Sequence, residues 1–158
     1  MSLSEFLLSD WDETIREIVG AGGEFRMYPK GTSMLPLLRE RVDSVSVSAP
    51  VFPLKKGTML FYQRDNGQYV LHRVQGQSKD GTYFLCGDHQ MAVESGVRED
   101  MAIAVVSRVF RNDKELPLNS CRYRVYRFLI LFSTVRKVLL FRERICLRLR
   151  RLLHKNTH

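Results

Sequence analysis

The chain has 158 residues, a length typical of a single domain, and 44% of them are hydrophobic, which is enough to build a core. Its charge is uneven: residues 1–121 contain 14 basic and 16 acidic residues, whereas residues 122–158 contain 11 basic residues and one acid, Glu143. This segregation excludes a uniformly basic, DNA-coating protein and indicates one local anionic partner: a membrane surface, a nucleic acid or an acidic protein. We therefore divide the chain into a domain at residues 1–121 and a basic tail at residues 122–158.

A short amphipathic helix is predicted from Asp10 to Val19. Ser9 is placed to cap this helix, acidic residues follow at the positive end of its dipole, and Gly20 is placed to end it. Its apolar stripe consists of Ile15, Ile18 and Val19. The acidic residues in this region also argue against a secretory signal peptide.

Short β-strands are predicted between Glu24 and about Leu118, because β-branched, aromatic and alternating apolar residues dominate this region. The strands fall around Phe25 and Met27, around Val45 and Val47, and at Thr58–Tyr62, Tyr69–Val74, Thr82–Cys86 and Met101–Phe110. Turn residues separate them, most clearly at 65–67 and 79–81. This spacing predicts a mostly β fold, arranged as an antiparallel barrel or sandwich.

The tail, from Arg122 onward, has the period of a basic amphipathic helix. Its longest uncharged apolar run, Phe128 to Val135, has eight residues, whereas a bilayer span needs about 20, so no transmembrane helix is predicted. Such a helix packs on its own domain, lies on an anionic membrane surface or binds nucleic acid. The first two alternatives are favoured, because no recognisable RNA-binding motif accompanies the basic residues.

A candidate nucleophile lies in the segment Gly31-Thr32-Ser33-Met34-Leu35-Pro36. Gly31 allows a close backbone approach and Pro36 fixes the direction of exit, which suits the presentation of the Ser33 hydroxyl. The alternative is an ordinary turn in which Ser33 acts as a cap. A serine nucleophile also needs a base, so the segment carries chemistry only if a suitable partner exists.

His72, within the run Leu71-His72-Arg73-Val74, is the candidate base, because neutral imidazole accepts a proton near working pH. With an unperturbed imidazole as the base, the reaction rate would rise with pH between about pH 6 and 7. Asp88, in Cys86-Gly87-Asp88-His89, is placed to accept a hydrogen bond from the far nitrogen of His72 and to hold its tautomer. In the alternatives, His72 is only a half-buried polar residue, Asp88 only closes a turn, or His89 is the base instead of His72.

Together these motifs resemble the type I signal peptidase family. Ser33-Met34-Leu35-Pro36 is similar to the family's Ser-Met-x-Pro box, and the run 54–61 resembles the strand that follows it, with Thr58 where an acid is usual. His72-Arg73-Val74 is similar to the base box and Gly87-Asp88-His89 to the Gly-Asp-Asn box. The resemblance covers roughly residues 24–110, and His72 matches the form of the family whose base is histidine rather than lysine.

The resemblance implies a serine endopeptidase with a signal-peptidase-like fold that cleaves a peptide or preprotein and needs no metal or organic cofactor. Ser33 would be the nucleophile, His72 the base and Asp88 its orienting group, while Thr32, Met34 and Pro36 would belong to the substrate-binding and oxyanion region. The alternatives are a non-catalytic peptide-binding module of the same fold and a nucleic-acid-binding protein that acts through its tail.

The cysteines bear on location, because Cys86, Cys121 and Cys146 are an odd number without metal-ligand spacing. This usage favours a reducing compartment. We therefore expect a cytoplasmic protein, held peripherally at the inner face of the membrane by its basic helix.

Overall fold

Antiparallel β-strands dominate the computed structural model, which describes residues 3–142 and residue 145. In chain order its elements are α1 (Leu3–Gly20), β1 (Phe25–Met27), β2 (Asp43–Ser48), β3 (Met59–Gln63), β4 (Tyr69–Gln77), β5 (Tyr83–Cys86), β6 (Glu94–Val97), a 3-10 turn (Glu99–Met101), β7 (Ala102–Arg111), β8 (Lys114–Leu116), α2 (Cys121–Ile130) and α3 (133–142).

The strands form one sheet in the order β1-β2-β7-β3-β4-β5-β6, with β8 paired to β7, and all pairs are antiparallel. Within the described residues this order has free edges at β1 and β6, so the predicted mostly β, antiparallel fold is confirmed and a closed barrel is wrong. The turns at 65–67 and 79–81 connect β3 to β4 and β4 to β5 as predicted. The predicted strand set misses β6 and β8, because both are short and mostly polar.

Helix α1 is longer than predicted, because it begins at Leu3 rather than at Asp10. Ser9 therefore lies inside the helix and is not its cap; no Gly or Pro precedes it from residue 3 onward to interrupt the helix. The end at Gly20 is confirmed, with Gly22 in the left-handed conformation just beyond it.

An apolar cluster joins α1 to the sheet and to the segment that carries Ser33. It contains Ile15 and Val19 of α1, residues of β2, β3, β4 and β7, and Met34, Leu37 and Leu38. A second cluster lies among β3, β4, β5 and β6 and includes the fully buried Tyr62 and Tyr83. The Ser33 segment is thus fixed by burial of the side chains that follow it.

The predicted tail helix is two helices rather than one. Ser120 caps α2 by accepting a hydrogen bond from the backbone N–H of Tyr123, and α2 ends at Ile130. Arg136 of α3 is buried and donates from Nη1 to the carbonyl oxygens of Ile130 (2.8 Å) and Leu131 (3.1 Å), which satisfies the end of α2. The remainder of the predicted helix lies outside the described residues.

Helix α2 packs against the β-sheet instead of extending from it. Ile130 is buried, and Tyr123 and Tyr126 contact the apolar cluster of α1. A Cβ on Gly57, in the turn before β3, would lie 3.0 Å from Cδ of Arg127, so α2 lies directly over this turn. The predicted division at residue 121 therefore separates α2 from side chains that it contacts.

Candidate active site

The Ser33 segment lies against the loop that follows β5. The backbone N–H of His89 donates to the carbonyl oxygen of Ser33 at 2.8 Å. A Cβ on Gly87 would lie 2.6 Å from that oxygen and 3.1 Å from Cβ of Ser33, so only glycine permits this approach. The structure therefore brings together Ser33 and the segment 87–89, which sequence reasoning had assigned to the same site.

The three neighbours of Ser33 have different surroundings. Thr32 is exposed beside Ser33. Pro36 is also exposed, and its carbonyl oxygen accepts a hydrogen bond from Nη2 of Arg111 at 3.1 Å. Met34 is buried in the apolar cluster with α1, where it anchors the segment in the core; its place in the substrate-binding region stays a prediction.

His72 lies in the middle of β4, where it pairs with Leu60 of β3, and only 4% of its surface is exposed. Burial lowers the pKa of His72 to about 4, because water no longer stabilises the imidazolium. The carboxylates of Glu94 and Asp88 oppose this effect and Arg64 reinforces it. At neutral pH the ring is therefore uncharged, which is the form that accepts a proton.

Asp88 contacts Arg73, the residue after His72, and not His72 itself. Its two carboxylate oxygens accept hydrogen bonds at 2.7 Å from Nε and Nη2 of Arg73, and Oδ2 also accepts one from the Tyr126 hydroxyl at 2.8 Å. Arg73 and Asp88 are both fully buried. The predicted direct hydrogen bond between Asp88 and His72 is absent from the described residues, and the carboxylate instead faces Arg73 and Tyr126.

The Arg73–Asp88 pair connects three parts of the molecule. Nη1 of Arg73 donates to the carbonyl oxygen of Gly57 at 2.8 Å and lies 3.3 Å from the Tyr123 hydroxyl. Burial would lower the pKa of Arg73, but the attraction of Asp88 outweighs it and the pKa is raised. The pair thus ties β4, the loop after β5 and α2 together.

A network that the sequence did not reveal surrounds the other side of His72. The Tyr62 hydroxyl lies 3.5 Å from Nδ1 of His72 and donates to Oε2 of Glu94 at 2.7 Å. Arg64 holds the same carboxylate, with 2.9 Å from Nε to Oε1 and 2.6 Å from Nη2 to Oε2. The hairpin register was the signal: Leu60 pairs with His72 and Tyr62 with Val70, so Tyr62 and His72 are diagonal neighbours on one face.

A cleft with a volume of about 560 Å³ opens beside His72. Its walls are Arg64, His72, His89, Leu140 of α3 and the residues from Gln90 to Glu94. No hydrogen bond joins Ser33 to His72 within the part of the chain that the structure describes. The two residues are connected through the loop that contacts Ser33 and forms one wall of the cleft.

Residues 3–142 and 145 contain no group of three or more His, Cys, Asp or Glu side chains that could hold a metal ion. No helix among these described residues has both the length and the apolar composition that are needed to cross a bilayer. Cys86 is buried and Cys121 exposed, both as free thiols, and Cys146 lies outside the described residues.

Comparison with models of known protein families, with curated proteins and with solved structures found no match to this chain.

Proposed function

We propose that this protein is a serine endopeptidase with a signal-peptidase-like fold, in which Ser33 is the nucleophile and His72 the general base. The observation that carries the proposal is the contact of Ser33 with the segment 87–89, at the end of the strand next to the one that holds a buried, neutral His72. A reactive serine and its base require such convergence of two distant chain segments.

The reaction follows from these roles. Oγ of Ser33 attacks the scissile carbonyl carbon while His72 takes its proton, and the resulting tetrahedral intermediate carries a negative charge on its oxygen. The backbone N–H of Ser33 makes no hydrogen bond among the described residues, so it is available to this oxygen, with the exposed Thr32 hydroxyl beside it. His72 then returns the proton to the leaving amine, and water releases the acyl group from Ser33.

Asp88 contributes to this site through the loop that contacts Ser33. Its ion pair with Arg73 holds that loop against β4, and the neighbouring His89 backbone holds Ser33. A peptide substrate would bind as an additional extended strand along an edge of the sheet.

The enzyme assignment is tested with the full chain, a defined mixture of unstructured peptides and a fluorophosphonate probe that reacts with activated serines. Wild type should cleave peptides and be labelled, and Ser33→Ala should lose at least about 10⁴-fold in cleavage and all labelling. Ser133→Ala, which changes an exposed serine of α3, is the matched control and should behave as wild type. Peptide binding without cleavage by wild type would replace the enzyme with the binding-module alternative.

The exposed surface of α2 and α3 supports a peripheral position on an anionic membrane, at the cytoplasmic side where anionic lipids are concentrated. Large apolar side chains, between 42 and 65% exposed, form what we call the α2–α3 patch: Val125, Phe128, Leu129, Phe132, Val138, Phe141 and Ile145. Exposed cations accompany it: Arg122, Arg124, Arg127, Lys137 and Arg142. Residues 121–142 contain no acidic residue.

The composition of the α2–α3 patch favours lipid over nucleic acid. Val125, Phe128 and Leu129 lie three and four positions apart, so they form one exposed stripe on α2, away from the Tyr126 and Ile130 side that packs on the domain. Four of its seven apolar side chains are aliphatic, and acyl chains accept these, whereas nucleic-acid bases stack on aromatic or guanidinium planes and gain nothing from them. The free thiols of Cys86 and Cys121 are consistent with a reducing compartment.

A further inference from the structure

The contacts of His72 assign its tautomer. The Tyr62 hydroxyl has one proton, and it lies 2.7 Å from a Glu94 carboxylate oxygen but 3.5 Å from Nδ1 of His72. The charged acceptor at the shorter distance takes this proton, so the Tyr62 oxygen faces His72 as an acceptor. The tautomer with the hydrogen on Nδ1 and the lone pair on Nε2 is the one that supplies a donor to this oxygen.

We propose that Tyr62 and Glu94, and not Asp88, are the positioning residues of the His72 base: Glu94 holds the Tyr62 hydroxyl, and Tyr62 accepts the hydrogen bond from Nδ1 of His72. The inference rests on the proposed function, because it names the groups that prepare His72 to take the proton of Ser33. Nε2 is left as the base, and the ring cannot rotate without losing its acceptor.

The surroundings of the three residues support this role. Tyr62 is fully buried, so its ring cannot move away, and Arg64 fixes both oxygens of Glu94 through its hydrogen bonds. Arg64 also balances the charge of Glu94, so the carboxylate anchors the tyrosine without turning His72 into a permanent imidazolium. The 3.5 Å separation is at the outer limit of a hydrogen bond, and such contacts shorten when the nucleophile is engaged.

The charged groups that face His72 come from three elements: Arg64 after β3, Glu94 of β6 and Asp88 after β5. His89 lines the same cleft. Of the two carboxylates, Asp88 is held by Arg73 on the other side of the strand, whereas Glu94 reaches His72 through a shared hydroxyl. Only Glu94 can therefore transmit an orientation to the ring.

The test combines the rate of fluorophosphonate labelling of Ser33 with nitrogen-15 NMR of the imidazoles, which reports the tautomer without any need for activity. In Tyr62→Phe, which keeps the ring and removes the hydroxyl, we expect labelling to slow by about 10- to 100-fold. We also expect the Nδ1–H form of His72 to give way to a mixture of tautomers. Tyr83→Phe is the matched control, because Tyr83 is equally buried in the same apolar cluster and its hydroxyl contacts Leu54 and Glu99 instead.

Glu94→Gln supplies a second variant with a distinct readout. Glu94→Gln leaves Arg64 without its counter-charge, so the pH below which the labelling rate falls should move to a lower value. The double variant with Tyr62→Phe should be labelled no more slowly than Tyr62→Phe alone, because both changes break the same chain of hydrogen bonds. A wild-type tautomer in Tyr62→Phe, or a loss of labelling no larger than that of Tyr83→Phe, would overturn the inference. If wild type is not labelled but Tyr62→Phe still changes the tautomer, the positioning network stands and the peptidase proposal fails.

Discussion

The surroundings of His72 change the chemistry that its sequence predicts. The sequence predicts an ordinary imidazole, but its place in the middle of β4 removes water from the ring and lowers its pKa to about 4. An alternating strand pattern predicts which face a residue occupies and says little about how deeply that face is covered. We therefore expect the reaction rate to rise with pH near pH 4 rather than between pH 6 and 7.

The pH prediction follows directly from this value. Labelling of Ser33 by the fluorophosphonate probe should be constant from neutral pH down to about pH 5 and should fall tenfold per pH unit below about 4, as the base becomes protonated. His89→Ala, which changes the other histidine of the cleft, should leave this profile unchanged. A limb that stays near pH 6.5 in wild type would show that His72 is not the base or is not buried in solution.

The same shift predicts a pH dependence of stability. The pKa of His72 is about 4 in the folded chain and 6.5 when unperturbed, so the unfolded chain binds more protons between these values. The free energy of unfolding therefore has its full His72 contribution above about pH 6.5 and loses it as the pH falls toward 4. Urea unfolding of wild type and of His72→Gln at several pH values measures the difference between their free energies of unfolding. This difference should shrink as the pH decreases.

Asp88 shows where residue-level prediction reached its limit. The sequence assigns Asp88 and Ser33 to one site, and in the structure the Ser33 segment lies against the loop that contains Asp88, where a Cβ on Gly87 would collide with Ser33. The partner of Asp88 depends on α2 and on the side chain of Arg73, which come from distant parts of the chain. A short motif contains no information about such contacts.

At the scale of elements, strands with clear alternation and turn residues were predictable, as were the approximate places of α1 and the tail. The break between α2 and α3 was not, because the apolar stripe continues through Leu131 and Phe132. It depends on Arg136, which folds back onto the last carbonyl oxygens of α2. A buried cation that acts as a helix cap has no distinctive sequence pattern.

The packing of α2 leads to a stability prediction. Tyr126→Phe removes the hydroxyl that donates to Asp88 at 2.8 Å and leaves the ring in place, so the free energy of unfolding should fall by roughly 1.5–3 kcal/mol, as expected for a hydrogen bond to a charged group. The midpoint of urea unfolding at constant slope measures this change. Tyr28→Phe, at an exposed tyrosine, is the control and should have no effect. An unchanged midpoint in Tyr126→Phe would mean that α2 is a free tail in solution.

At the scale of the whole molecule, α2 contacts the candidate site with one side and exposes apolar side chains on the other. The inner side of α2 contacts the Arg73–Asp88 pair of the site, and its outer side carries the α2–α3 patch. A membrane that binds the patch would therefore hold the loop 87–89 at a fixed distance from the lipid surface. If the proposed function is right, this arrangement places the peptidase site beside substrates at that surface.

The membrane prediction uses the full chain and vesicles, because removal of α2 would also remove the partners of Arg73 and Asp88. The chain should float with phosphatidylcholine vesicles that contain phosphatidylserine, bind neutral vesicles less, and dissociate at high salt, since each Lys or Arg near an anionic surface contributes roughly 1 kcal/mol.

Phe128→Ser with Phe132→Ser should weaken binding to both vesicle types, because these two rings pack together in the exposed patch. Val51→Ser changes an apolar side chain that is more exposed but lies outside the patch, and it should bind as wild type. Equal binding to both vesicle types would remove the electrostatic argument, and tight binding of RNA without any preference for vesicles would assign the basic surface to nucleic acid instead.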